Sequence, residues 1–217
     1  MSKTLWMPSE ERIRDAQITR FMAYVDEHCG AGAGGDYFAL QAWAVANPEP
    51  FWSAVWDFCG VLAGSRGDAV LLDGDRFPGA RWCPEARLTF AENLLRSRDD
   101  TPALVSLLEN GERSELTHAG LYLQAAGLAA ALRAEGVVAG DRVAGFMPNI
   151  PETVIAMLAA ASIGAIWSSC SPDFGINGVM DRFGQIAPKV LFAADGYYYN
   201  GKTCDSRPRL AEVVNRI

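Results

Sequence analysis

The chain has 217 residues, half of them apolar and 21% charged, a composition with enough apolar material for a real core. Its net charge is −7 and it carries no basic run, which excludes a phosphate-binding surface for nucleic acid, because such contacts need clustered Lys and Arg. Five cysteines, none in a C-x-x-C pair, and two widely separated histidines exclude a disulfide framework and a metal site built on ligand spacing.

The opening residues 1–10 are polar with one Trp and do not read as a signal peptide. The apolar stretch 154–167 contains Ser162 and Gly164 and is too short to span a bilayer, so a reducing cytoplasm is the expected compartment and no membrane partner is expected. Pro8-Ser9 opens a helix in which Ile18, Phe21, Met22 and Val25 recur at the spacing of one buried stripe. The glycines of 30–35 interrupt it. Asp36 is placed to cap a second helix carrying Leu40 and Trp43, and Pro48 and Pro50 to open a third carrying Phe51, Trp52, Val55, Trp56 and Cys59. Three tryptophans this close mark a surface to be covered, by core or by a partner. Residues 60–79 read as loop around one short apolar run, 69–72.

From about residue 100 the pattern alternates. Strands are expected over 103–108 and 113–116 around the hairpin signal Asn110-Gly111. Thr117 caps a helix running to Glu135, with Gly136 as its stop. Then come a strand over 142–147, a helix after Pro151 ended by Gly164, a strand over 165–169, a helix over 174–186, a strand over 189–193 and a helix over 209–217. This is the pattern of a parallel sheet covered on both faces.

Two glycine strings carry possible chemistry. Gly30-x-Gly32-x-x-Gly35 spells a dinucleotide fingerprint, but a helix precedes it where the fingerprint needs a strand. Residues 196–203, from Gly196 to Gly201-Lys202-Thr203, match the phosphate-binding string G-x-x-x-x-G-K-[ST] and do follow a strand. Three consecutive tyrosines are bulky for a loop curled round phosphate, and Cys204 to Pro208 delays the helix that should begin at Lys202. A strand-to-helix loop with packed tyrosines is the alternative. There is no G-x-S-x-G elbow, and the carboxylate pairs Glu10-Glu11 and Asp99-Asp100 sit in polar, solvated contexts.

The run Gly140-Asp141-Arg142-Val143-Ala144-Gly145-Phe146-Met147-Pro148-Asn149-Ile150-Pro151-Glu152, continued by Ile163-Gly164-Ala165-Ile166, resembles the early strand–helix segment of the acyl-adenylate-forming acyl-CoA synthetases. Within that family the acetoacetyl-CoA branch is the most similar, on Trp167-Ser168-Ser169-Cys170-Ser171-Pro172-Asp173-Phe174-Gly175, Asp181-Arg182-Phe183-Gly184-Gln185-Ile186, Pro188-Lys189-Val190-Leu191-Phe192 and Ala91-Glu92-Asn93-Leu94-Leu95. The resemblance implies an α/β fold: a helical N-terminal cap, residues 1–100, followed by the first part of a mostly parallel, helix-covered adenylation sheet, residues 101–217. It implies a ligase that uses ATP and Mg²⁺ to convert acetoacetate to an acyl-adenylate and then transfers the acyl group to CoA. The family's phosphate loop, adenine and ribose motifs, magnesium Glu and adenylation Lys have no match in these residues. The expectation is therefore an N-terminal piece without ligase activity of its own and without a tightly bound cofactor. The family's CoA nucleotide site maps onto Ser171, Pro172, Asp173, Tyr199 and Lys202, with Tyr199 and Lys202 standing where the family has two arginines. The competing readings are a CoA ligase for another short carboxylate and a non-catalytic nucleotide-binding module using 196–203.

Overall fold

The structure, a computed structural model, describes residues 5–217, so the start of the polar opening 1–10 lies outside the described residues. Ser9 caps α1 (Glu10–Asp15), its hydroxyl accepting from the Arg12 N–H at 3.2 Å. The single helix expected here is two. Ala16, intrinsically a good helix former, leaves the helix at ψ 141, and both its N–H and the Thr19 hydroxyl satisfy the Ile13 carbonyl before α2 (Gln17–Cys29) begins. The buried stripe is correspondingly narrower than expected: Phe21, Met22 and Val25 are buried, whereas Ile18 stays 44% exposed. Asp36 caps α3 (Tyr37–Ala46) through the Phe38 N–H at 2.8 Å, and Pro48 opens α4 (Pro48–Phe58) in the first turn, where its missing N–H costs nothing.

These helices close a small core of Phe21, Met22, Val25, Ala33, Leu40 and Ala54, with Phe21 meeting Phe51 and Phe58 edge-on at 5.9 and 5.2 Å. The three tryptophans have three different surroundings. Trp43 packs on that core, Trp52 turns to Trp82 at 5.9 Å, and Trp56 lies under the Arg66 guanidinium at 5.3 Å. A short antiparallel pair, β1 (Leu71–Leu72) with β2 (Arg81–Trp82), completes this unit, Met1–Leu88.

The second unit is Thr89–Ile217. Its first helix, α5 (Phe90–Leu94), falls before residue 100, yet Ala91 and Leu95 share a cluster with Leu121, Ala125, Ile155 and Leu158 further along the same unit. A hairpin follows, β3 (Pro102–Leu107) with β4 (Arg113–Thr117), turning at Asn110-Gly111 with Gly111 at φ 87. Thr117 caps α6 (His118–Ala134) through the Gly120 N–H at 3.1 Å. The chain then runs through β5 (Arg142–Phe146), α7 (Pro151–Ser162), β6 (Ile166–Cys170), α8 (Ile176–Ile186), β7 (Val190–Ala193), β8 (Gly196–Tyr199), β9 (Lys202–Asp205) and α9 (Arg207–Val214).

The parallel, helix-covered sheet is present, with strand order β6-β5-β7 and β5 in the centre. Alternation along β5 sorts its side chains between two layers. Val143 packs with Leu132, Ala159 and Ala160 of α6 and α7; Ala144 and Phe146 pack with Val179, Phe183 and Val213 of α8 and α9. Val143, Phe146 and Phe183 are fully buried, each worth about 1.5–3 kcal/mol of hydrophobic transfer. Gly145 has a packing reason: a Cβ there would come within 2.6 Å of the Trp167 indole, which lies across the strand toward Phe192. At the other end of β5, the Asp141 carboxylate accepts from the Val138 N–H at 2.9 Å and pairs with Lys189 at 3.0 Å, which ties the entries to β5 and β7 together. Those two donors hold the Asp141 pKa below the ordinary carboxylate value.

Candidate functional site

The chain passes from β5 to β6 on one side of the sheet and then crosses to β7 on the other, so its direction of travel reverses at β5. In a parallel sheet such a reversal separates the loops at the carboxyl ends of the strands and opens a crevice there. The loops at those ends are 147–150 after β5, 171–175 after β6, and the short link from β7 into β8. A cleft of about 350 Å³ opens between Glu109, Asn149, Ile150, Tyr197 and Tyr198 on this edge.

The phosphate-binding reading of 196–203 fails on conformation. Gly196 to Tyr199 is strand β8, Lys202 and Thr203 are in strand β9, and Asn200 and Gly201 form the turn at φ 52 and 72. Two central residues at positive φ make the type I′ turn of a tight hairpin. The Gly201 N–H, which a phosphate loop would aim at its anion, donates instead to the Glu109 carboxylate at 3.1 Å. The next helix begins only at Arg207, and its first N–H is already taken by Asp205 at 2.9 Å. The fingerprint at 30–35 also closes on an acid of the chain itself. Gly30, Gly32, Gly34 and Gly35 all have positive φ, and the Asp26 carboxylate accepts from the Ala33 and Gly34 N–H groups at 2.6 and 2.8 Å. A carboxylate thus fills the place where an anionic ligand would sit.

The expected site residues fall in two places. Ser171, Pro172 and Asp173 form the turn after β6. Pro172 is fully buried, the Ser171 hydroxyl donates to the Asp173 carboxylate at 3.1 Å, and the Asp173 N–H donates back to it at 3.3 Å. Tyr199 and Lys202 pair across the tip of the β8–β9 hairpin, and both are exposed. Strand alternation puts Tyr197 on the same hairpin face as Tyr199, with Cys204 and Lys202 opposite them. Tyr197 is the link between the two places. The Asp173 carboxylate hydrogen-bonded to its hydroxyl, with burial adding to it, pushes the phenol up to about 12. Arg209 of α9 donates to the Pro172 carbonyl from the other side. Sequence reasoning missed Tyr197 and Arg209, because the hairpin signal Asn200-Gly201 lies inside the phosphate-binding string and the approach of α9 to the 171–173 turn leaves no local signal.

Cations near this edge include Lys202, Arg182, whose guanidinium covers Phe174 at 4.1 Å, and Arg207, held by Asp205 through two side-chain hydrogen bonds of 2.9 Å. Arg207 draws the Asp205 pKa down to about 2. Among the described residues no group of three or more His, Cys, Asp or Glu converges as a metal site. The histidines have structural surroundings: His28 stacks on Tyr24 at 4.2 Å, and His118 opens α6. No helix of the described residues is long and apolar enough to cross a membrane.

Residues 90–216 match the family described as AMP-binding enzyme. The chain is 47% identical to the acetoacetyl-coenzyme A synthetase of Rhizobium meliloti over 215 residues, 99% of this chain and 33% of that protein. It is 42% identical to the acetoacetyl-CoA synthetase of Rattus norvegicus over 99% of this chain and 32% of that protein. The solved acetoacetyl-CoA synthetase from Streptomyces lividans superimposes with a TM-score of 0.92 at 47% identity, covering 99% of this chain and 34% of that one. The chain thus spans about a third of the length of the relatives it matches. On the sequence match and on the parallel sheet that underlies it, the chain belongs to the AMP-binding enzyme family, and along its length it is similar to that family's acetoacetyl-CoA synthetases.

Proposed function

We propose that this chain forms the N-terminal part of a cytoplasmic ligase that joins acetoacetate to CoA. One oxygen of the acetoacetate carboxylate attacks the α-phosphorus of ATP. Pyrophosphate leaves, and acetoacetyl-adenylate remains. The thiol sulfur of CoA, giving up its proton, then attacks the acyl carbon, and the C–O bond to AMP breaks. The observation that carries this reading is 47% identity with an acetoacetyl-CoA synthetase over 99% of the chain.

Within that reaction, the helical first part, residues 1–100 by the sequence division, serves as the cap, and the rest contributes the first strands of the adenylation domain. Ser171, Pro172, Asp173, Tyr199 and Lys202 contact the nucleotide end of CoA. Lys202 is the exposed cation at the hairpin tip and is suited to a phosphate oxygen, which it would meet as a point charge. Tyr199 offers a half-exposed ring beside it, 58% accessible, on which a base can stack. ATP, with Mg²⁺ as its counter-ion, is a co-substrate in this reading, and the donors for its phosphates lie outside the residues assigned here.

The test is formation of AMP by the complete gene product from ATP and CoA, with acetoacetate, acetate, propionate and butyrate compared by kcat/KM. The expected result is AMP formation that needs both CoA and an acid, fastest with acetoacetate. CoA-dependent activity with a different acid preferred would leave a short-chain ligase and remove acetoacetate. No acid-dependent AMP formation would remove the ligase reading.

A further inference from the structure

The 171–173 turn is held from a distance. Arg209 lies in the first turn of α9, and its Nη1 donates to the Pro172 carbonyl, 37 residues earlier in the chain. Residue 172 has no N–H because it is a proline, so that carbonyl is the only backbone hydrogen-bonding group it offers, and the guanidinium takes it. The Tyr197 phenol is influenced both by this guanidinium and, more strongly, by the Asp173 carboxylate. Arg209 therefore touches the turn directly and acts on its link to the hairpin.

Two further features give this contact a purpose beyond packing. First, α9 is firmly seated: Val213 is fully buried in the cluster with Phe146 and Phe183, so Arg209 projects from an element fixed to the central strand. Second, among the described residues no carboxylate lies within ion-pair distance of Arg209, whereas Arg207, two positions earlier, is neutralised by Asp205. A half-buried guanidinium spent on a carbonyl keeps its charge beside the turn, and that charge favours an arriving anion.

We propose that Arg209 is a positioning residue for the CoA step: from α9 it fixes the 171–173 turn in the shape that receives the nucleotide end of CoA. This rests on the CoA reading of that turn. Arg209 itself does not touch the reacting atoms. It acts through the Pro172 carbonyl and through Tyr197, and its loss leaves the turn free to move while the first half-reaction proceeds.

The experiment separates the two half-reactions in the complete gene product. Acetoacetate-dependent exchange of pyrophosphate into ATP reads adenylation, and KM for CoA reads the second step. Arg209→Met is expected to raise KM for CoA about tenfold, the worth of one charge-assisted hydrogen bond, with the exchange rate unchanged. Arg209→Lys, which keeps the charge but not the planar fork of donors, is expected to recover part of the loss. An equal fall in exchange and in thioester formation would make Arg209 a general structural residue and overturn the proposal. Lys202→Ala distinguishes the layers. A raised KM for CoA in Lys202→Ala with none in Arg209→Met overturns the positioning role alone; no change in either removes the CoA reading and the positioning role with it. If Arg209→Met does not fold, Arg209→Lys and Tyr197→Phe decide the matter, and an unchanged KM for CoA in both overturns the proposal.

Discussion

Tyr199 and Lys202 stand directly opposite each other across the β8–β9 hairpin, with only the Asn200-Gly201 turn between them. That register uses the glycine-lysine-threonine string as strand and turn, and leaves no curled backbone to wrap a phosphate. Lys202→Ala should therefore leave KM for ATP and pyrophosphate exchange unchanged while raising KM for CoA. Titration calorimetry of the 217-residue chain with Mg·ATP should show no binding. Micromolar binding abolished by Lys202→Ala would restore the phosphate-loop reading.

Trp167 crosses β5 only because residue 145 has no side chain. Gly145→Ala should push the indole off the sheet or shift the strand, costing about 1–3 kcal/mol by overpacking. Thermal unfolding would read the loss as a lower Tm. Gly145→Ala with Trp167→Phe should recover much of it, since the smaller ring withdraws from the contact. An unchanged Tm in Gly145→Ala would show that the indole moves aside freely.

Asp26 holds the 30–35 loop through the Ala33 and Gly34 N–H groups. Asp26→Ala leaves the donors of buried Ala33 and exposed Gly34 without their acceptor and should destabilise the N-terminal helical unit by about 1–3 kcal/mol, as loss of hydrogen bonds to a charged acceptor does. Added NAD should not rescue it. Rescue by a dinucleotide, seen as a raised Tm, would mean the loop accepts an anion after all.

Tyr197 and Asp205 set opposite pH limits on the site. The phenol is raised from 10 to about 12, so its contribution is fully present below pH 10 and is lost as pH rises through about 12. Asp205 is depressed from 3.8 to about 2, so its pairing with Arg207 contributes above pH 3.8 and is lost as pH falls through about 2. Ultraviolet difference titration should find one tyrosine fewer ionising near pH 10 in the parent than in Asp173→Asn, where the carboxylate that raises Tyr197 is gone. Equal titration in both would place Tyr197 away from Asp173.

The large features of the fold were legible because their signals are local. Thr117, Asp36 and Ser9 cap where the sequence puts caps, and the strand–helix alternation from residue 142 onward gives the parallel sheet. The departures have local causes too. Ala16 breaks a helix with no breaker residue. Asn200-Gly201 carries the same hairpin signal as Asn110-Gly111, but it lies inside a string that matches a stronger motif, and the motif masked the turn. The proposed CoA site was legible only through resemblance. Ser171, Pro172, Asp173, Tyr199 and Lys202 came from resemblance, whereas the network that joins the two groups, Tyr197 with Asp173 and Arg209 with Pro172, depends on tertiary approach that no spacing encodes.

The most direct test of the CoA site is hydrogen–deuterium exchange on the complete gene product with CoA, with Mg·ATP, and with neither. The expected result is slower exchange at residues 171–175 and 196–205 with CoA, and none there with Mg·ATP alone. Protection of 196–205 by Mg·ATP alone, or no protection of either segment by CoA, would contradict the assignment of this edge of the sheet to CoA.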